Sequence, residues 1–426
     1  MKRFWSWLEY CQGPSPEYED ERALGDMPLR DAPVSLIAYY LPQFHRLPQN
    51  DRWWGEGFTE WTNVARGLPR YVGHYQPRRP AALGYYDLSH TAVLRDQCAL
   101  ARRGGIAGLC FHYYWFSGET LLDTPIRNLL TDPTIDIRFC LNWANENWTR
   151  RWDGGEATVL LEQRYGPDDA RLLAETMRPM LAVPRYIQVD GRPLVMIYRP
   201  AVIPDVNGFI AKFRRAVIDM GHTNPFIVAP RAFRTDPADY AVDGEAGFPP
   251  HGGGEELVDE RDRMTSLDPG ARGSVPSYDG LIENMLAIRT CKIPVFPGIC
   301  PSWDNEARRG ADGVSFHSAT PAKYGWWLHQ AARQAMEEQK TSEKFVFVNA
   351  WNEWAEGAYL EPDRHFGYAY LAETRRVLDR VASGDEPIAA PAVARFTSRF
   401  NPVVNRARKM RMAIAHKLRS LVRLTR

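Results

Sequence analysis

From Val34 onward, short apolar runs alternate with longer stretches of helical periodicity. Eight runs stand out: Ser35 to Tyr40, Gly108 to Tyr114, Ile137 to Trp143, Leu194 to Tyr198, Phe226 to Ala229, Tyr240 to Ala246, Val295 to Ile299 and Phe345 to Ala350. They are rich in β-branched and aromatic residues and lack a polar face, the composition of strands buried on both sides. The period between and after them predicts helices over Thr91 to Arg103, Asp168 to Leu181, Val206 to Met220, Leu281 to Arg289, Ala322 to Glu338 and Tyr368 to Val381. Eight strands alternating with helices predict an α/β chain folded as a (β/α)8 TIM barrel. The fifth and sixth repeats are the weak ones. No clear helix follows Ala229, and Pro249 to Ser277 is Gly-rich and charged, which predicts a long loop. Residues 1–30 read as an N-terminal arm, 31–383 as the barrel, and 384–426 as a linker and a basic helix.

Active sites of such barrels lie at the C-terminal ends of the strands, so the polar residues there become the candidate site. Strand one delivers Tyr39, Tyr40, Gln43 and His45; strand two His112, Tyr113 and Trp115; strand three Asn142, Trp143, Asn145 and Glu146. Strand four adds Tyr198 and Arg199, strand six Asp243 and Glu245, and strand seven Trp303, Asp304 and Asn305. The eighth run leads into Asn352, Glu353, Glu356 and Glu361, interleaved with Trp351, Trp354 and Tyr359. Acids able to move protons thus sit among flat rings suited to stacking on sugars. Paired carboxylates are what glycosidic chemistry uses, one acting at the glycosidic oxygen and one at the oxocarbenium-like centre. The blander alternative is that a Trp and a Glu close the strand end, but three acids beside a hydrophobic strand are costly unless solvated, paired or used. Leu41 to Ser89 is too long for a simple connection. Its Trp53, Trp54, Phe58 and Trp61 predict an ordered excursion over the barrel mouth, with Trp54 or Trp61 stacking on a sugar ring.

The stretch Asn352-Glu353-Trp354-Ala355-Glu356-Gly357, followed by Glu361-Pro362, resembles the acid motif of glycoside hydrolase family 99, the endo-α-mannosidases. The nearer resemblance is to the WbsX-like proteins of bacterial surface-polysaccharide loci, which share that domain and have been labelled glycosyltransferases. It is carried also by Tyr39 to His45, by Trp53 to Trp61, by Phe111-His112-Tyr113-Tyr114-Trp115 and by Trp143-Ala144-Asn145-Glu146-Asn147-Trp148, spanning roughly Ser35 to Leu371. The resemblance implies an enzyme that cleaves or transfers glycosyl units of a surface polysaccharide or lipopolysaccharide O-antigen. It also implies a retaining mechanism in which Glu353 deprotonates the sugar's 2-hydroxyl and Glu356 serves as acid and then base at the leaving oxygen. Ala355 departs from the mannosidases, which often carry His there.

Glu146 is the rival acid, because its surroundings echo those of Glu353. A wide gap between the two would admit water and favour inversion. The other reading has Glu146 binding sugar hydroxyls or holding Arg150 and Arg151.

Composition narrows the remaining classes. A formal net charge of +1 argues against a nucleic-acid partner. The six cysteines show no C-x-x-C spacing and read as reduced core thiols. No metal-ligand spacing stands out among the ten histidines, so no metal or cofactor is expected. There is no D-x-D motif of the kind that holds a metal–nucleotide sugar, which disfavours a nucleotide-sugar transferase of the usual folds. The N-terminus lacks a continuous apolar segment, and the expected location is cytoplasmic. Arg395 to Arg426 contains no Asp or Glu and repeats Met410, Ile414, Leu418, Leu421 and Val422 at helical spacing. That predicts a basic amphipathic helix in peripheral contact with the anionic inner membrane, where the glycan is lipid-linked; the alternative is a solvated or partner-bound tail. Three functions stay open: a glycan-cleaving or transglycosylating enzyme, a polysaccharide-assembly glycosyltransferase, and a glycan-binding protein without catalysis. The Glu pair weighs against the third.

Overall fold

The apolar runs become strands of one parallel sheet in a computed structural model of the protein, which describes residues 11–25, 31–150, 155–289 and 292–384 together with Trp5 and Glu9. In chain order they are β1 (Ser35–Tyr40), β2 (Ile106–Phe116), β3 (Arg138–Trp143), β4 (Arg192–Ile197), β5 (Phe226–Pro230), β6 (Gly244–Ala246), β7 and β8 (Phe345–Val348). β7 is two short pieces, Val295–Phe296 and Gly298–Ile299, on either side of Pro297. The first piece pairs with β6 and the second with β8, so the chain itself joins the two ends of the sheet. Pro297 has no N–H to give a ladder, yet its carbonyl still accepts from the Phe347 amide at 2.8 Å. β8 also pairs with β1, Ala38 lying opposite Val348, and the barrel is closed there.

Each strand from β1 to β5 is buried along nearly its whole length, as an apolar run covered on both faces must be. Helices over Thr91–Arg103, Asp169–Leu181, Val206–Asp219, Tyr278–Ala287, Pro321–Glu338 and Ala369–Ser383 form the outer layer. The weak repeats behave as their sequence predicts: β5 is followed only by the single turn Pro237–Asp239, and β6 by a long connection whose one short turn is Arg261–Arg263. Three features had no sequence signal. The helix Thr124–Thr131 is too short to display a period, and β2 continues into a hairpin with Glu119–Leu121. That hairpin turns at Ser117 and Gly118, both with positive φ, where the sequence shows only an unremarkable Ser-Gly pair. The excursion after β1 holds two short helices, Pro48–Trp54 and Glu60–Ala65.

Cys11, Cys98, Cys110, Cys140 and Cys300 are buried free thiols, with Cys110 and Cys140 opposite one another on β2 and β3. Among the described residues no helix is long and apolar enough to cross a membrane, and no three His, Cys, Asp or Glu side chains gather as a metal site requires. Cys291, Arg151 and the side chain of Arg150 (the partners proposed for Glu146), residues 1–4, 6–8, 10 and 26–30 of the N-terminal arm, and the linker and basic tail beyond Gly384 lie outside the described residues.

Candidate active site

The loop after β8 is a small framework that aims two acids. Asn352–Glu353 pairs antiparallel with Ala358–Tyr359 across the single turn Trp354–Glu356. Gly357 closes that turn with φ +60°, where a Cβ would come within 2.9 Å of Asp304 Cβ and 3.0 Å of the Arg78 guanidinium. Only glycine fits both the conformation and the space. Asn352 ties the loop to the end of β1, accepting from the Leu41 amide at 2.7 Å and donating to the Leu41 carbonyl at 2.9 Å. Trp354 is fully buried, stacks on Tyr359 with ring centroids 3.8 Å apart, and donates its indole N–H to Glu361 at 2.6 Å. Glu361 also accepts from the Tyr86 hydroxyl and the Gln97 amide, and burial pushes its carboxyl up to about 7 against those donors. Asn352, Trp354 and Glu361 therefore brace the loop from below.

Above it, at the C-terminal end of the barrel, opens a cavity of about 360 Å³. Glu353 and Glu356 reach it from the β8 loop, His112 and Tyr114 from β2, Glu146 and Trp148 from beyond β3, and Tyr198 from the end of β4. Phe233, Phe248, His251 and Trp303 complete the aromatic lining, and Arg308 and Arg309 bring positive charge. Arg308 is the centre of the polar side. Its Nε donates to Glu60 at 2.8 Å, its Nη2 to Glu353 at 3.0 Å, and its Nη1 to Glu356. Glu60 and Glu353 are buried, while the Glu356 side chain keeps 21% of its surface exposed. Burial pushes the Glu353 carboxyl up to about 8; Arg308 pulls it down, and the neighbouring Glu356 and Glu60 push it up again. His112 is drawn down to about 4, chiefly by burial and then by Arg308, so its imidazole is neutral near pH 7. Its Nδ1 lies 3.3 Å from the Asn142 amide nitrogen. Gln43 donates to the Tyr114 hydroxyl at 2.6 Å, and the Tyr114 ring stacks on Trp148.

The structure brings eight of the sequence candidates onto the cavity wall: Gln43, His112, Glu146, Tyr198, Trp303, Asn305, Glu353 and Glu356. Glu146 is paired with Arg199 at 2.8 Å, a partner the sequence reading did not name. Other candidates lie in the barrel body. Tyr39 donates its hydroxyl to the Gly247 carbonyl at 3.0 Å inside the barrel, and Tyr40 points outward to Gln97 on the helix Thr91–Arg103 at 2.7 Å. Trp115 and Trp143 are fully buried against each other, and Tyr113, His45 and Asn142 are buried behind the wall. Asp304 is turned away from the mouth into a buried cluster with His74, Gln76 and Arg78. Asp243 sits just before the first residue of β6, at the opposite end of the barrel, where Arg192 and Arg214 hold it. Glu245 is taken up by Arg231. For these residues the strand alternation sends the side chain into the core or the helix layer, which proximity to a strand end alone does not reveal.

Trp54 and Trp61, expected to stack on a sugar, are not on the cavity wall. Trp54 packs on Phe58, and Trp61 lies among Phe44, Tyr86 and Trp354 with its indole N–H on the Tyr86 carbonyl at 2.8 Å. Trp61→Ala should thus cost stability on the order of 3 kcal/mol, read as a lowered urea midpoint. A loss of glycan affinity with unchanged stability would instead return Trp61 to the cleft. The most consequential residue that sequence reasoning missed is Arg308. It stands on the four-residue helix Glu306–Arg309, too short for any period, and the only available signal was that clustered buried acids need a cation.

Residues 36–374 match the family model described as Glycosyltransferase WbsX. The chain belongs to the WbsX family. The WbsX match runs from the second residue of β1 into the helix Ala369–Ser383 and includes both acids of the loop after β8. Among curated relatives, the uncharacterized protein WxcX of Xanthomonas campestris pv. campestris (strain B100) is 40% identical over 380 residues. That alignment takes in 88% of this chain but 54% of WxcX, so the chain spans about half the length of the curated relative it matches. Among solved structures, a glycoside hydrolase-like protein superposes with a TM-score of 0.53 at 14% identity, covering 83% of this chain and 97% of its own. The GH99 endo-α-mannosidase from Bacteroides thetaiotaomicron gives 0.51 at 15% identity, covering 82% and 98%. At such identities the likeness is one of fold. The WbsX fold is thus shared with glycoside hydrolases, while the family's own description is of a glycosyltransferase.

Proposed function

We propose that this chain is a carbohydrate-active enzyme that binds a bacterial surface glycan in the cavity at the barrel mouth and cleaves or transfers its glycosyl units with retention. The observation that carries the reading is the Glu353–Glu356 pair, open to one aromatic cavity and joined by one guanidinium. Three carboxyls around Arg308 cannot all ionise at low cost in a buried site, so the cluster keeps a proton near neutral pH. Glycosyl chemistry needs that state, with one group able to give a proton and another able to take one.

In the proposed first step Glu353 takes the proton of a suitable 2-hydroxyl as that oxygen attacks the anomeric carbon. The bond from that carbon to the leaving oxygen breaks, and Glu356 gives the leaving oxygen its proton. In the second step water or an acceptor hydroxyl opens the anhydro-sugar, gives its proton to Glu356, and Glu353 returns its own to O2. Burial pushes the Glu353 carboxyl up to about 8, so its ionised form is a stronger base than an ordinary carboxylate, and turnover should rise with pH as that form becomes populated. Tyr198, Trp148 and Trp303 supply rings for the flanking sugars.

The test is incubation with lipid-linked oligosaccharides in ¹⁸O-water, with and without nucleotide sugars, followed by mass spectrometry. Cleavage puts ¹⁸O on the new reducing end, and transfer lengthens an acceptor without label. Intact substrate under every condition would overturn the proposal.

A further inference from the structure

Glu60 belongs to neither the barrel nor the β8 loop; it opens the helix Glu60–Ala65 in the excursion, and its side chain is fully buried. Its partner Arg308 stands on the helix Glu306–Arg309, which is fastened to the same excursion at three more points. Arg66 donates to the Ala307 carbonyl at 3.1 Å, the Leu68 amide to Glu306 at 2.8 Å, and Arg70 pairs with Glu306. Asn63 lies 3.4 Å from the other Glu60 oxygen. With Nε fixed on Glu60, the planar guanidinium has its two Nη groups directed onto Glu353 and Glu356.

Resting on the reading above, we propose that Glu60 and Arg308 form a two-residue positioning device. Glu60 fixes the plane of the guanidinium, and the guanidinium sets the orientation and the charge of the Glu353–Glu356 pair. Neither residue gives or takes a proton in the reaction. The device also explains why so long an excursion follows β1: it carries the anion that orients a cation between the two acids. The groups facing Glu353 are Glu60 from the excursion, Arg308 from the short helix, Glu356 from its own loop, and His112 and Tyr114 from β2. Removing the positive charge makes Glu353 harder to ionise, and removing the Glu60 charge makes it easier. The two changes therefore push the same carboxyl in opposite directions, which loss of packing would not do.

The experiment uses the full chain and has two arms. In the first, the carboxyl C=O stretch of Glu353, identified as the infrared band absent from Glu353→Gln, is titrated in wild type, Arg308→Met, Arg308→Lys and Glu60→Gln without any substrate. The expected midpoint rises by about one pH unit in Arg308→Met and falls by a similar amount in Glu60→Gln. In the second arm, kcat and KM are measured against pH on the glycan identified by mass spectrometry. Glu60→Gln and Arg308→Lys should lower kcat at least tenfold with KM little changed, and the acid limb of the Glu60→Gln profile should follow its infrared midpoint. If Arg308→Met does not fold, Arg308→Gln, which also removes the positive charge, takes its place with the same expected rise. Midpoints that stay in place or move together overturn the device whatever the activity, and midpoints that move apart with kcat unchanged overturn its role in the reaction. The infrared arm needs no turnover, so the device is judged separately from the proposed function.

Discussion

Glu353→Gln and Glu356→Gln are each expected to lower kcat by roughly 10²–10⁴-fold while the protein stays folded. The amide keeps the size of the carboxyl and an oxygen that can still accept from Arg308, so packing is preserved and only the proton-transfer group is lost. In either variant Arg308 retains Glu60 and the other acid as partners, and no cation is stranded. The fold should even respond favourably to Glu353→Gln at high pH. Burial raises the Glu353 carboxyl to about 8, above its ordinary value of about 4.3. A raised folded-state pKa contributes stability below the unfolded value that is lost as pH climbs toward the folded one. Wild type should lose stability from about pH 4.3 to 8 through this group, and Glu353→Gln should not. Urea midpoints at pH 5 and pH 8.5 read this directly, alongside single-turnover rates. Near-normal turnover in either Gln variant would remove that residue from the chemistry.

The barrel was legible because buried strands and amphipathic helices leave different periods. Val295 to Ile299 was visible as one apolar run although Pro297 divides it, since apolar character does not depend on the ladder. Tyr240 to Ala246 overran because Asp243 and its neighbours look strand-like, whereas Arg192 and Arg214 hold Asp243 ahead of the first paired residue. The acids were legible at the site because Glu353 and Glu356 share a turn directly after a buried strand. Their partners were not. Arg308 lies 48 residues before Glu356 in the chain, and Glu60 a further 248 residues before Arg308, separations that only the closed barrel brings together. The same limit misplaced the aromatic residues. Trp61 and Trp148 are both large rings in polar surroundings, yet one packs under the β8 loop and the other faces the cavity.

Asp304→Asn is expected to be among the most destabilising single substitutions near the site, although Asp304 does not itself line the cavity. Its carboxylate is buried, accepts from the Gln76 amide at 2.7 Å, and lies 2.8 Å from His74 and 3.3 Å from the Arg78 guanidinium. Arg78 is itself buried, its guanidinium 4.9 Å from the centre of the Tyr75 ring. Neutralising Asp304 leaves that cation without its carboxylate in a dry setting, a change that costs about 3–5 kcal/mol. The consequence reaches the acids, since the Asp304 amide donates to the Glu356 carbonyl at 2.6 Å and Asp304 packs beneath Gly357. Burial alone would raise this carboxyl, but His74, Arg78 and the Glu306 amide together hold it well below the usual range. A depressed folded-state pKa gives stability that is present above the unfolded value, about 3.9, and fades as pH falls toward the folded one. The gap between wild type and Asp304→Asn in urea midpoint should therefore be full at pH 7 and shrink below about pH 4. A variant as stable as wild type at pH 7 but with weakened glycan binding would show instead that Asp304 turns toward the substrate.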